Sequence, residues 1–239
     1  MRRNKFLTLL TFVAFLLGTC TASAQFVERH KSEDLKIGVA GFTFRSFDID
    51  QTLKMMNQIG VKYLSVKDFH LPLNSTQEQI DAFKEKLAAA GVDGYILGPI
   101  YMNSEADVDR TFEYVKRYGS GIFIGVPTYE LLPYIDKKVK EYDIKMAIHT
   151  HGPDISYFPD AADVMAHVAD LDPRIGICLD LGHTARFGAS CVEDLKKYKD
   201  RIFDIHIKDE TQASKAGQTC EMGRGVMDIP AIVKTLHKI

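Results

Sequence analysis

The sequence GICLDLGH (Gly176–His183), followed by DIHIKD (Asp204–Asp209), decides the fold. Each is a short apolar run that ends abruptly in polar side chains, and the helical segment VEDLKKY (Val192–Tyr198) lies between them. A buried strand, a helix and a second buried strand form a βαβ unit with parallel strands. Because barrels and doubly wound sheets carry their chemistry at the carboxyl ends of parallel strands, a functional site is expected at these two ends.

The same alternation of strands and helices extends along the chain. Strands are predicted at residues 36–44, 61–66, 94–97, 121–126, 144–148, 174–179 and 201–207. A capping box of Ser75 and Glu78 is expected to begin the helix after the second strand, and Asp228 to cap the last helix. This alternation predicts an α/β fold, a TIM-type (β/α)₈ barrel rather than an open sheet. The eighth βα unit is missing from this chain, which leaves open a truncated product or a barrel with a gap.

Residues 1–24 predict a secretory signal peptide. Three basic residues precede the apolar run Phe6–Leu17, and Ala22–Ala24 forms an A-x-A cleavage signal. The run is shorter than the ~20 residues that a transmembrane helix needs. A buried N-terminal helix is the alternative. We therefore expect residues 25–239 to form one TIM-barrel domain without a membrane span, exported to the periplasm or secreted.

Charge and cysteine content exclude several classes of protein. Removal of residues 1–24 leaves 27 basic and 32 acidic side chains, a net charge of −5. Proteins that bind nucleic acid usually present a basic patch, so no nucleic-acid partner is expected. Cys178, Cys191 and Cys220 have no metal-site spacing and indicate no disulfide framework, and Cys178 is expected inside because it shares the parity of Asp180.

The ends of the fifth, sixth and seventh strands predict a metal site. Asp180 and His206 would share a divalent cation, with His149 as a third ligand. Imidazole and carboxylate ligands suit Mn²⁺ in the first place, with Zn²⁺, Co²⁺ and Fe²⁺ as alternatives. The competing interpretation makes Asp180 a helix cap and His206 a buried core histidine. Lys208, at the end of the second apolar run, is expected to bind substrate.

Further polar residues follow other strands. His149 and His151 share their side-chain parity, and both are candidate catalytic bases; the alternative for His151 is a solvated loop residue. Lys67 would face a substrate oxygen or donate a proton, or else extend its stem to the barrel rim. His70 is a candidate substrate-binding residue. Glu221 is a further candidate base and Arg224 a substrate-binding residue, although a loop ordered by its own ion pairs would explain both.

Three motifs resemble a known family. They are LDLGHTARFG (Leu179–Gly188), IHIKD (Ile205–Asp209) and EMGRGVMDIPAIVKTL (Glu221–Leu236). They are similar to the sugar phosphate isomerase/epimerase branch of the xylose isomerase-like TIM barrels, and the resemblance covers nearly all of residues 25–239. That family spans isomerases, epimerases, dehydratases and DNA-repair endonucleases, so the resemblance implies a fold and a class of chemistry but no substrate.

The resemblance also implies roles for particular residues. The family commonly holds one divalent metal with Glu, Asp, His and Glu, and its motifs place the Asp ligand at Asp180 and the His ligand at His206. His183 matches a substrate-binding histidine, with a surface histidine as the alternative. His149 takes the position of the first Glu, and the last Glu would follow Ile239. These glutamates are also the acid/base pair of related epimerases, so that mechanism does not carry over.

These observations favour a metal-dependent sugar isomerase or epimerase, or a keto-sugar lyase, working through an enediolate. Predicted export favours a free or oxidised small-molecule sugar over a sugar phosphate. The alternative is a non-catalytic carbohydrate-binding barrel that has lost its acid/base glutamates. Acidity and predicted export oppose an endonuclease. A homo-oligomer is left open.

Overall fold

The computed structural model describes residues 35–239, so the predicted signal peptide at residues 1–24 lies outside the described residues. The strands are β1 (Gly38–Ala40), β2 (Tyr63–Val66), β3 (Asp93–Met102), β4 (Ile122–Pro127), β5 (Lys145–His149), β6 (Ile175–Asp180), β7 (Ile202–His206), β8 (Asp209–Glu210) and β9 (Thr219–Cys220). The helices are α1 (Ile49–Ile59), α2 (Gln77–Ala89), α3 (Glu105–Tyr118), α4 (Leu132–Tyr142), α5 (Ala161–Val168), α6 (Leu181–Phe187), α7 (Cys191–Tyr198) and α8 (Ile229–Leu236).

Strands β1 to β7 form one parallel sheet in sequence order, and β8 and β9 form a separate antiparallel pair. Each strand of the sheet pairs with the next, which confirms the predicted α/β barrel. Within residues 35–239 no pairing joins β7 to β1, so the barrel is nearly closed and lacks an eighth unit. In this same part of the chain, no helix has the length and hydropathy to cross a bilayer.

Apolar side chains fill two layers. The larger lies between the sheet and the helices, where Val108, Phe112 and Val115 of α3 are fully buried as their helical spacing predicts. The smaller fills the barrel interior and consists of Ile96, Ile124, Ala147 and Cys178. The predicted inward position of Cys178 is therefore confirmed, and side chains two residues further along each strand lie at the barrel mouth.

One local prediction was wrong, and one helix was not predicted. The capping box of α2 uses Thr76 and Gln79, whose side chains accept hydrogen bonds from each other's backbone N–H at 3.3 and 2.8 Å, instead of Ser75 and Glu78. The sequence STQEQ contains both patterns one residue apart, and the structure selects the second. Helix α6 was not predicted, because its seven residues are too few to reveal an apolar period.

The buried carboxylate of Asp209 orders the segment that leads to α8. Its Oδ1 accepts hydrogen bonds from the N–H groups of Glu210 and Met227 at 2.9 and 3.1 Å, and its Oδ2 from those of Gly223 and Gly225 at 2.9 and 3.0 Å. Burial opposes ionisation, but these amides outweigh it and lower the pKa of Asp209. One charged side chain thus fixes the path of residues 223–227.

We expect Asp209→Asn to lower the free energy of unfolding by about 2 kcal/mol, because an amide nitrogen cannot accept the hydrogen bonds that one carboxylate oxygen accepts. Urea unfolding measures the loss, and faster tryptic cleavage after Arg224 should accompany it. The control is Asp228→Asn, since asparagine caps a helix as well as aspartate does. Equal stability of the two variants would contradict this role of Asp209.

Candidate metal centre and active site

Asp180 is both the last residue of β6 and the N-cap of α6. Its N–H donates to Thr150 Oγ1 at 3.0 Å, and its Oδ1 accepts from the N–H of His183 at 3.0 Å. Capping therefore occupies one carboxylate oxygen and leaves Oδ2 to face side chains from neighbouring strands. The predicted capping role and the predicted site role belong to different oxygens of one side chain.

Two glycines let the surrounding backbone come close enough to build the site. A Cβ on Gly182 would lie 2.4 Å from Lys208 Cε, and one on Gly152 would lie 2.5 Å from the carbonyl oxygen of His183. Gly152 also has a φ of +58°, which favours glycine. The glycine of the LDLGH sequence thus leaves room for the Lys208 side chain beside Asp180, whereas the contact at Gly152 is with backbone.

Four side chains converge on Asp180 Oδ2. Lys208 Nζ lies at 3.0 Å, His149 Nε2 at 3.5 Å, His206 Nδ1 at 3.8 Å and His183 Nε2 at 3.9 Å. The strand register explains the meeting, because Asp180 lies directly opposite His206 across the β6–β7 pair. The structure therefore brings together the three predicted metal ligands and two predicted substrate-binding residues.

The imidazoles also contact one another. His149 Nε2 lies 3.0 Å from His206 Nδ1, and His151 Nδ1 lies 3.0 Å from the carbonyl oxygen of His149. Burial lowers the pKa of His149 to about 3 and that of His183 to about 4, and it also lowers the pKa of His151. These rings are therefore neutral at pH 7 and have nitrogen lone pairs available for a metal or a proton.

The single carboxylate among these rings is ionised. Burial opposes ionisation of Asp180, but the hydrogen bond with His149 and the charge of Lys208 hold its pKa well below the usual value. At neutral pH the cluster consequently contains an ionised Asp180 carboxylate beside the neutral rings of His149, His151 and His183. A divalent cation would compete with Lys208 for Oδ2.

A second carboxylate, Asp204, lies behind His206. Its Oδ2 is 3.6 Å from His206 Nε2 and 3.6 Å from Cys178 Sγ, and its Oδ1 accepts a hydrogen bond from Tyr95 Oη at 2.9 Å. A carboxylate behind a ligating histidine fixes the ring and its tautomer. Here the 3.6 Å separation is too long for a hydrogen bond and Nε2 has no hydrogen-bond partner among the described residues, so Asp204 lies near the ring without holding its proton, while Nδ1 contacts His149 Nε2 at 3.0 Å.

The donor set fits a divalent cation. His149 Nε2, Asp180 Oδ2 and His206 Nδ1 are separated by 3.0, 3.5 and 3.8 Å. Ligand bonds of about 2.0–2.2 Å place neighbouring ligand atoms roughly 3–4 Å apart around one ion. Donor atoms of His149, Cys178 and His206 also lie within 4.8 Å of one another. A sulfur donor would favour Zn²⁺ over Mn²⁺.

The other predicted site residues contact different partners. Lys67 Nζ pairs with Asp68 Oδ1 at 2.5 Å, and His70 Nε2 lies 3.0 Å from the carbonyl oxygen of Phe47. Glu221 and Arg224 are exposed on the segment after β9. Among the described residues, none of these four contacts the histidine cluster, so their catalytic and binding roles stay predictions.

Sequence reasoning missed three contributors besides Asp204, namely Asp154, Arg186 and Tyr101. Asp154 lies 3.3 Å from His183 Nδ1 and binds Arg186 through two hydrogen bonds of 2.6 and 2.8 Å. Tyr101 Oη lies 3.3 Å from His151 Nε2. Arg186 stands one helical turn after His183, a spacing that could have indicated it. No sequence pattern near Tyr101 indicates a role for it, because it lies in β3 and meets His151 only in the folded barrel.

Comparison with known proteins agrees with this architecture. Residues 128–239 match the family model of the xylose isomerase-like TIM barrel. An uncharacterized protein from Parabacteroides distasonis has a TM-score of 0.67 and 24% sequence identity over 86% of each chain. None of the curated proteins matches the sequence.

Two structural neighbours have stated properties. The protein IolI, solved with a bound zinc atom, has a TM-score of 0.65 and 16% identity over 86% of this chain and 85% of its own. The 3-keto-D-glucoside 4-epimerase YcjR from E. coli has a TM-score of 0.65 and 13% identity over 85% of this chain and 88% of its own. At these identities the likeness establishes the fold alone.

Proposed function

We propose that this chain, whose residues 128–239 match the xylose isomerase-like TIM barrels, is a divalent-metal-dependent isomerase or epimerase of a free or oxidised sugar. The observation that carries the proposal is the convergence of His149 and His206 on Asp180 Oδ2, at the carboxyl ends of three neighbouring strands. Neighbours of the same fold that include a sugar epimerase and a zinc-bound protein support it.

His149, Asp180 and His206 would hold the ion, which we take to be Mn²⁺ in the first place, with Zn²⁺, Co²⁺ and Fe²⁺ as alternatives. When bound, it would polarise a carbonyl and its neighbouring hydroxyl and so favour an enediolate. Lys208, 3.0 Å from Asp180, would turn towards a substrate oxygen as the cation takes its place. The metal ion would thus replace Lys208 as the partner of the Asp180 carboxylate.

His151 is the base that we favour for moving the proton. Its Nδ1–H donates to the carbonyl oxygen of His149, which leaves Nε2 as an acceptor facing Tyr101. Nε2 would take a proton from the carbon next to the carbonyl, and its return from the same face to the neighbouring carbon would give the isomer, whereas the epimer would need a second proton donor, such as water, on the opposite face. His183, beside Asp180, would bind a sugar hydroxyl.

Proton exchange with solvent tests this chemistry without knowledge of the product. The mature protein, loaded with Mn²⁺ for the reaction, should exchange a carbon-bound hydrogen of a ketose or 3-keto-glucoside for deuterium in D₂O, as read by proton NMR after the Mn²⁺ is removed. His206→Ala should lose both this exchange and the rise in melting temperature on adding metal. Lys196→Ala, at an exposed lysine of α7 whose ion pair is with Glu193 on the same helix, is the control. If wild type and His206→Ala melt identically with and without metal, the proposed site does not exist.

A non-catalytic carbohydrate-binding barrel is the second candidate. It is favoured by His149, which stands where the resemblance expects a glutamate, and by the ion pairs that occupy Asp154 and Asp180. Saturable sugar binding without any deuterium exchange would support it. Exchange that disappears in Asp180→Asn would exclude it.

A further inference from the structure

A groove adjoins the histidine cluster at the same end of the barrel. It has a volume of about 390 Å³, within the range of small-molecule sites. Its walls come from the ends of β3 and β4 and from the segment between β5 and α5. Tyr101 forms the boundary, because its ring lines the groove while its hydroxyl lies 3.3 Å from His151 Nε2. The groove and the proposed reaction site therefore share Tyr101 as a common neighbour.

The lining of the groove indicates what it can hold. Tyr101 and Tyr157 supply aromatic rings, Val126, Pro127 and Ile155 supply apolar walls, and the remaining three lining residues are Asn103, Thr128 and Ser156. Aromatic faces carry partial negative charge and attract the C–H face of a saturated ring, while amide and hydroxyl groups can bind ring hydroxyls. The lining contains no lysine, arginine or histidine, so nothing in it would neutralise a phosphate.

The wall of the groove is formed in advance. Tyr157 packs edge-to-face on Tyr129 with ring centroids 5.1 Å apart. Tyr129 Oη donates to Asp163 at 2.7 Å and accepts from the N–H of Phe158 at 3.1 Å. The N–H of His151 donates to the carbonyl oxygen of Phe158 at 3.2 Å, so the same segment ties the groove to the cluster. Little ordering would be needed when a ligand binds.

We propose that this groove binds the uncharged second ring of a glycoside whose first ring lies at the histidine cluster. This rests on the proposed function and narrows it, because the substrate becomes a disaccharide-like glycoside instead of a lone monosaccharide or a sugar phosphate. The reacting carbon would face His151, and the glycosidic substituent would pass Tyr101 to reach Tyr157.

Saturation-transfer NMR titrations of the mature chain with glucose, glucose 6-phosphate, maltose and cellobiose test the proposal. At least one disaccharide should bind about tenfold more tightly than glucose. Tyr157→Ala should reduce this preference to about threefold or less and leave glucose affinity unchanged, and Tyr157→Phe should retain it. Ile155→Arg, which places a long charged side chain in the groove, should remove the preference by a second route if Tyr157→Ala fails to fold.

The outcomes separate this proposal from the proposed enzyme. If neither disaccharide binds more tightly than glucose, or if glucose 6-phosphate is preferred, the groove does not hold a neutral second ring, whatever the deuterium exchange shows. If a disaccharide preference depends on Tyr157 while exchange is absent, the groove assignment stands and the isomerase or epimerase proposal fails.

Discussion

Asp180→Asn should abolish the deuterium exchange of the proposed sugar substrate and weaken binding of the proposed divalent metal by more than about 100-fold. Loss of a partner behind a ligand costs ~10–100-fold in metal affinity, and Asp180 is itself the carboxylate on which His149, His206 and Lys208 converge. The chain should nevertheless remain folded, because asparagine can still accept the hydrogen bond from the N–H of His183 that begins α6. Lys208 is partly exposed and can be hydrated once its partner is neutral.

Calorimetric titration with Mn²⁺ and thermal unfolding measure the two parts of this expectation. Asp160→Asn is the matched control, since Asp160 caps α5 through the N–H of Asp163 and lies outside the histidine cluster. It should bind metal as the parent protein does. Unchanged Mn²⁺ affinity in Asp180→Asn would show that the carboxylate is only a helix cap.

Acidification of the metal-free protein from about pH 7.5 to about pH 5 should lower the free energy of unfolding by roughly 4 kcal/mol through His149 and His183 together, partly offset by Asp194, whose raised pKa of about 6 lets the folded protein take up a proton. Burial lowers the pKa of His149 to about 3 and of His183 to about 4, from an ordinary value of 6.5. Below pH 6.5 the two histidines take up protons in the unfolded chain but stay neutral in the folded protein. Their full contribution to stability is therefore present above pH 6.5, and it is lost as the pH falls towards 4 for His183 and 3 for His149. At pH 5 each histidine contributes about 2 kcal/mol to this loss.

Urea unfolding at the two pH values, in the presence of a chelator, gives the difference directly. His149→Asn and His183→Asn should each reduce the pH-dependent loss by about half, because each removes one group whose proton uptake is linked to unfolding. His167→Asn on the exposed face of α5 should leave it as in the parent. An equal loss in all three variants would mean that other groups cause the acid sensitivity.

The strand pattern and the central pair of the site could be predicted because both depend on short-range sequence. Apolar runs that end at Asp180 and His206 mark two strand ends, and parallel neighbours place such ends side by side. His149 follows from the same argument one strand earlier. For these three residues, the alternation of side chains along a strand is enough to predict that they lie side by side at one end of the barrel.

The remaining contacts depend on distances that no local pattern contains. Asp204 lies in an apolar strand and gains a role only because Tyr95, from the opposite part of the barrel, donates to it. Asp154 depends on a loop that returns to Arg186. Conversely, Lys67 also follows an apolar strand, yet it pairs with its neighbour Asp68. A polar residue at a strand end is thus a candidate for the functional site, but the packing of the whole barrel determines which residues it contacts.

The sequential order of the sheet has a consequence for synthesis. Every strand from β2 to β7 finds its partner in the strand made just before it, so the nascent polypeptide can lengthen the sheet one unit at a time as it leaves the ribosome. His149 and Asp180 are both synthesised before the opposite imidazole of His206. A ribosome that stalls before Ile202 would release six joined strands without His206, a product with most of the architecture and an incomplete ligand set.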